Sequence, residues 1–247
     1  MNETKITFEL GNLKRWLILG FLIFVLSLEL QVTLSSPIAF GDEGYHVSIA
    51  RLMGTEKIYP IHNPLQGTVL QNIEYNRPPL WNFMEASFYM LFGFTDTFIK
   101  ILIPLLSFFT GLVTYLMVKK IYSEDAALVA AVILVTIPSF VTYSVLFYTT
   151  VPFVFFATIA VFSFMLSTKI PGRKYMILTA LFTSIALLTN IAAFSIVAVI
   201  IIYGLLEFFK KINYENFIHL IKKYSILIVV VGLFISPWFV RNILLYN

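Results

Sequence analysis

Asp42 and Glu43 stand side by side in Phe40-Gly41-Asp42-Glu43-Gly44-Tyr45-His46, shortly after a long apolar stretch. Adjacent carboxylates at the mouth of an apolar chain, facing a water-filled pocket at the membrane surface, suit acid/base chemistry. Arg77, in Arg77-Pro78-Pro79-Leu80-Trp81, is the matching cation. A guanidinium on a stiff backbone binds phosphate through two parallel donors; its plainer use is to snorkel at a membrane boundary. Asp42 also has a plainer use, as a helix N-cap with Glu43 complementing the dipole. A helix N-terminus lowers a carboxylate's pKa, so a base there needs burial or a second carboxylate to offset it. His46 follows Asp42 by four residues, a spacing that lets both reach one divalent metal from a helical face.

The elements that must position these groups are set by composition. Of 247 residues, 59% are apolar and 12% charged; a soluble domain carries about twice that charge fraction. Apolar runs of about 20 residues recur, which defines an all-α polytopic transmembrane bundle. There is no Cys, so neither a disulfide framework nor a thiolate metal site is available. The net charge of +4 comes from basic residues at helix ends, not from a soluble patch, which excludes nucleic acid as a partner. No Gly-rich phosphate loop, nucleotide fingerprint or Ser-His-Asp order is present. The absence of an internal repeat weighs against a transporter or flippase. The first apolar stretch is too long for a cleaved signal and reads as a retained span.

Six apolar blocks are clear: Trp16–Leu34, Phe98–Val118, Ala126–Phe147, Val151–Ser167, Tyr175–Phe209 and Tyr224–Val240. The fifth is too long for one crossing and breaks most naturally at Thr189-Asn190, the one amide in its run. Pro79–Phe92 is apolar and aromatic but only about 14 residues long, a length that suits an interfacial or re-entrant helix. With that segment not crossing and the N-terminus inside, twelve Lys and Arg lie inside and five outside (Arg51, Lys57, Arg77, Lys100, Arg241). The positive-inside rule favours this arrangement of seven spans, with the 35–97 loop, the Thr149-Thr150 turn, Asn190 and Arg241 all on the outer face. The whole of 1–247 reads as one transmembrane module in the cell membrane.

Within the outer loop, a helix should run from Gly41-Asp42 to about Met53. Tyr45, Ile49, Leu52 and Met53 form its apolar face and lie down on the membrane, with Asp42, Glu43 and His46 near the opposite side. Prolines in Tyr59-Pro60-Ile61-His62-Asn63-Pro64 and around Arg77 impose extended chain. Glu74 lies in the same loop. Glu29, in the outer half of the first span, is a functional candidate because intramembrane carboxylates are costly; it either lines a cavity below Asp42 or pairs with Lys100 or Arg77. Ile212–Lys223 reads as a separate inside interfacial helix, its lysines anchoring it to anionic membrane lipids.

The ordered set Gly41-Asp42-Glu43-Gly44-Tyr45-His46, Arg77-Pro78-Pro79-Leu80-Trp81, Leu91-Phe92-Gly93, Lys119-Lys120-Ile121-Tyr122, Pro138-Ser139-Phe140 and Pro237-Trp238-Phe239-Val240-Arg241-Asn242 resembles the GT-C membrane glycosyltransferases. The resemblance is to the protein O-mannosyltransferase and aminoarabinose-transferase branch, and it extends over essentially the whole chain. It implies transfer of a sugar from a polyprenyl- or dolichyl-phosphate donor to a protein, lipid or glycan acceptor on the outer face. On that likeness Asp42 is the general base, Glu43 positions it or the acceptor, Arg77 holds the donor phosphate and Arg241 is a second candidate for that role. His46, Thr150, Asn190 and Glu29 would line the pocket. No cofactor is implied with certainty; some relatives use a divalent metal with a loop acid, here Asp42 with His46.

The chain departs from the family in two places. Relatives often carry an acid where Thr150 stands and Lys where Asn190 stands. The joint loss of an acid and a base points to compensation between them and to a different sugar or acceptor, or else to a non-catalytic lipid-phosphate-binding or scaffold subunit. Family members also carry more spans and often an outer domain, so further C-terminal spans or a second chain completing the fold are expected.

Overall fold

The computed structural model describes residues 2–38, 41–57, 77–93, 95–210 and 212–246. His62 and Glu74, singled out above, lie outside the described residues. The order is α1 (Asn2–Ser35), α2 (Asp42–Glu56), α3 (Leu80–Phe92), α4 (Asp96–Ile121), α5 (Glu124–Thr136), α6 (Pro138–Val145), α7 (Thr150–Lys169), α8 (Lys174–Thr189), a 3₁₀ turn (Ile191–Ala193), α9 (Phe194–Lys210) and α10 (Tyr214–Tyr246). Among the described residues there is no strand, as the all-α reading requires.

Local chemistry explains where the helices stop. The Ser123 hydroxyl caps α5 by accepting the Ala126 N–H at 3.2 Å, and Glu124 and Asp125 occupy its first turn. The third apolar block, Ala126–Phe147, is not one straight helix. Pro138 removes a backbone donor, Ile137 turns extended, and α5 and α6 meet at 60°. Asn190 ends α8 as expected: its backbone is extended and its side-chain Oδ1 accepts the Ala192 N–H at 2.9 Å to start the 3₁₀ turn. The separation drawn between an inside helix at Ile212–Lys223 and a span from Tyr224 does not exist. No Gly or Pro interrupts that stretch, and α10 runs through it unbroken.

Side-chain contacts define two ends of the bundle. At one, Lys14 meets Asp125, Arg15 and Lys119 meet Glu124, and Lys223 meets Glu207. At the other, Lys100 donates to the Ser36 carbonyl, Glu43 reaches Phe147, Asn190 reaches Thr149, and Arg241 shares a cleft with Pro79 and Leu188. Among the described residues, five helical stretches are long and apolar enough to cross a membrane, and the bent α5–α6 pair brings the number to six. The seventh expected crossing is α8, whose 16 residues fall short of the roughly 20 that a crossing takes.

Two apolar cores hold the bundle. One joins α1 to α6 around Leu22, Ile49, Trp81, Ile103 and Val135; the other joins α7 to α10 around Phe164, Ala180, Leu187 and Ile200. Met84 of α3 packs against both. Close approach of α1, α4 and α5 depends on Gly111, where a Cβ would lie 2.9 Å from Leu22 Cδ2 and 3.0 Å from Val135 Cγ1.

Candidate active site

Asp42 opens α2 but does not cap it. The cap position is Gly41, whose φ of 106° is a conformation that favours glycine, and no side chain caps the turn. The Asp42 carboxylate instead pairs with Arg77, Nη2 donating to Oδ1 at 2.7 Å, and the Arg77 guanidinium lies 4.3 Å from the centre of the Tyr45 ring. Both groups remain substantially exposed, at 55% and 38%. Arg77 reaches this position from the chain entering α3, where Pro78 and Pro79 prevent earlier helix.

Glu43 and His46 are buried, 4% and 3% exposed, and not on the open side of α2. The expected two-sided helix lying on a membrane is replaced by one covered by α3. Glu43 Oε1 accepts the Phe147 N–H at 2.6 Å, and the Phe147 ring packs on Trp81 at 5.7 Å. Glu43 therefore pins the turn between α6 and α7 to the start of α2. His46 Nδ1 bonds Asn82 Oδ1 at 2.6 Å. Burial lowers its pKa to about 4, partly offset by the Asn82 bond, with Arg77 lowering it further. The ring is thus neutral at neutral pH and donates from Nδ1. Asp42 is engaged with Arg77 and His46 with Asn82, and among the described residues no three His, Asp or Glu side chains gather.

Glu29 pairs with neither Lys100 nor Arg77. It is 3% exposed and accepts the Ser107 hydroxyl at 2.9 Å, while its Oε2 and the Thr33 hydroxyl one turn on have no hydrogen-bond partner. A cavity of about 240 Å³ above it is lined by Thr33, Ser36, Glu43, Lys100 and Phe147.

The positions of Thr150 and Asn190 meet in space. Asn190 Nδ2 donates to Thr149 Oγ1 at 2.9 Å, directly beside Thr150 at the first position of α7. Asn190 is thus hydrogen-bonded across the α7–α8 interface to Thr149, the neighbour of Thr150. Arg241, over Trp238 at 4.8 Å, lines a cleft of about 310 Å³ with Leu80, Phe83, Leu188 and Phe234. The cleft begins at Pro79, two residues from Arg77.

Sequence reasoning missed Glu85. It is fully buried on α3, neither carboxylate oxygen has a partner, and desolvation raises its pKa well above the ordinary carboxylate value. Trp81, Asn82, Glu85 and Tyr89 recur at helical spacing, so the face was readable once α3 was known to be covered. On the next turn Tyr89 and Arg51 both bond Asp96, tying α2, α3 and α4 together.

A helical membrane bundle with paired juxtamembrane helices, an acid and an arginine meeting at its mouth, has the architecture of the GT-C membrane glycosyltransferases. The family model described as dolichyl-phosphate-mannose-protein mannosyltransferase matches residues 76–238, and the chain belongs to that family. That match includes Arg77, Thr150 and Asn190 and leaves Asp42, Glu43 and Arg241 outside it. Among solved structures, ArnT from Cupriavidus metallidurans bound to undecaprenyl phosphate is similar at a TM-score of 0.68 and 17% identity, over 90% of this chain and 42% of that one. The apo state of the same protein gives 0.67 at the same identity and coverage. At such identity the likeness concerns the fold, and this chain spans 42% of the length of those structures. No curated protein sequence matches the chain.

Proposed function

We propose that this chain carries the membrane site of a glycosyltransferase that moves a sugar from a polyprenyl-phosphate donor to an acceptor hydroxyl or amine on the outer face. The observation that carries the reading is the Asp42–Arg77 pair, a base and a phosphate-binding cation held together at the bundle mouth. Arg77 binds the donor phosphate, and its charge stabilises the phosphate as the glycosidic bond breaks. As Arg77 turns to phosphate, the Asp42 carboxylate is freed to take the acceptor proton. The new bond forms between the acceptor oxygen or nitrogen and the sugar's anomeric carbon, usually with inversion on the family likeness, and the polyprenyl phosphate leaves. The apolar cleft ending at Arg241 takes the first part of the polyprenyl tail, with Arg241 near the phosphate. Glu43, which holds the α6–α7 turn, keeps Asp42 in register with Thr150 and Asn190. The outward orientation rests on the basic residues at the opposite end of the bundle.

The test is a reconstituted assay with a lipid-linked sugar, following release of polyprenyl phosphate. Asp42→Asn is expected to lower turnover by about 10²–10⁴-fold, the range for removing a general base. Unchanged turnover in a folded, inserted Asp42→Asn protein defeats the assignment.

A second reading, a non-catalytic lipid-phosphate-binding or scaffold subunit, draws support from the neutral Asn190, bonded to Thr149 at a position where the resemblance implies a lysine. Thr150→Asp with Asn190→Lys separates the two. If the wild type is inactive and this double variant gains turnover, the chain is a decayed transferase. If both are inactive and both bind polyprenyl phosphate, the subunit reading holds.

A further inference from the structure

At the end of the bundle away from Asp42 and Arg77, a cavity of about 580 Å³ opens between the α7–α8 turn and the α9–α10 pair. Its charged lining is Lys169, Arg173, Lys222 and Lys223 against the single acid Glu207. Glu207 already accepts Lys223 at 2.9 Å and the Tyr224 hydroxyl at 2.8 Å. Lys169, Arg173 and Lys222 make no ion pair among the described residues. Three uncompensated cations around one cavity repel each other, and the arrangement is relieved by an anion between them.

Gly172, at φ 122°, folds the turn back so that Arg173 stands at the start of α8. The uncapped first turn of α8 and the last turn of α7 both border the cavity, so their dipole ends offset and the side-chain charges carry the bias. The remaining walls combine the hydroxyls of Ser167 and Thr168 with apolar Met176 and Ile226. At the same end, Leu206 and Phe209 of α9 and Ile212 between α9 and α10 are exposed, at 57%, 64% and 70%. A polar anion-attracting cavity beside an exposed apolar face matches an amphiphile with an anionic head and hydrocarbon tails.

We propose that this cavity binds the phosphate of an anionic glycerophospholipid, a site separate from the one formed by Asp42 and Arg77. Arg173 gives the phosphodiester two parallel donors, Lys169 and Lys222 act as point charges, and the acyl chains run along the exposed apolar face of α9. A free phosphate ion shares the head-group chemistry but leaves the apolar walls unused. The site stands independently of sugar transfer.

The test uses the full chain in phosphatidylcholine vesicles with and without a minor fraction of phosphatidylglycerol, reading lipid retention by native mass spectrometry and the thermal midpoint. Each basic residue near an anionic surface is worth about fivefold in affinity, so Arg173→Gln with Lys222→Gln is expected to weaken retention about 25-fold and to abolish the phosphatidylglycerol-dependent rise in midpoint. Arg15→Gln with Lys120→Gln removes two charges at the same end but outside the cavity and should retain lipid as wild type does. Lys222→Arg keeps the point charge and should also retain it. Equal loss in the Arg15/Lys120 variant, or wild-type retention in the Arg173/Lys222 glutamine variant, overturns the site. If inorganic phosphate alone raises the midpoint as much as the lipid does, the lipid assignment is overturned.

Discussion

Arg77 Nη2 donates to Asp42 Oδ1 across 2.7 Å, bringing the chain before α3 onto the first residue of α2. The two residues are 35 positions apart in the chain. In the proposed function the contact is a resting state: each partner occupies the other until a phosphate competes for the guanidinium. Hydrogen bonds to charged groups contribute about 1.5–3 kcal/mol, so Arg77→Gln should weaken binding of polyprenyl phosphate by about 10–100-fold. Equilibrium binding of the lipid phosphate to the purified variant checks this, and unchanged affinity places the phosphate elsewhere.

Glu43 acts through structure, since its Oε1 receives the Phe147 N–H in a buried setting. Glu43→Ala leaves that donor without a partner and should cost about 1–3 kcal/mol of stability. Faster hydrogen exchange at the Phe147 amide, with slower exchange retained through the middle of α4, is the expected signature.

The buried pair of titratable groups beneath the site gives opposite pH signatures. His46 has a folded pKa of about 4, below its ordinary value of 6.5. Its neutral form is favoured on folding, so its contribution is present above about pH 6.5 and is lost as pH falls towards 4. The shift corresponds to at most about 3 kcal/mol. Glu85 is raised, so its effect runs the other way, with stability present below pH 4.5 and lost as pH rises towards its folded value. His46→Gln should flatten the thermal-midpoint profile between pH 4 and 6.5. Glu85→Gln, which removes the ionisation but keeps the shape, should raise the midpoint at neutral pH.

Gly111 sets how closely α4 meets α1 and α5. Gly111→Val should destabilise the chain by about 1–3 kcal/mol, because the new methyls meet the packed Leu22 and Val135 side chains. A wild-type thermal midpoint in that variant shows that the helices can separate without cost.

The apolar blocks, the break at Asn190 and the start of α2 at Asp42 were legible because each depends on local chemistry: hydropathy, an amide in an apolar run, a glycine before two acids. The burial of Glu43 and His46 was not. Reading α2 as lying on a membrane assigns one face to lipid and the other to water, whereas α3 covers it and the α6–α7 turn reaches Glu43. Glu85 escaped for the same reason, since a carboxylate on a short helix in a polar loop gives no local sign of complete burial. Lys222-Lys223 suggested a helix boundary, but charge alone does not end a helix, and α10 continues past them. The meeting of Asn190 with Thr149 depends on α7 and α8 packing antiparallel, which no single segment reveals.

The central claim is that Asp42 and Arg77 divide base and phosphate binding between them. It is tested most directly by measuring polyprenyl-phosphate binding and sugar transfer on the same reconstituted Asp42→Asn protein. The account predicts that transfer is lost while the lipid phosphate binds at least as tightly as to wild type, because Arg77 no longer has a carboxylate competitor. Retained transfer, or loss of binding together with transfer in a folded protein, contradicts it.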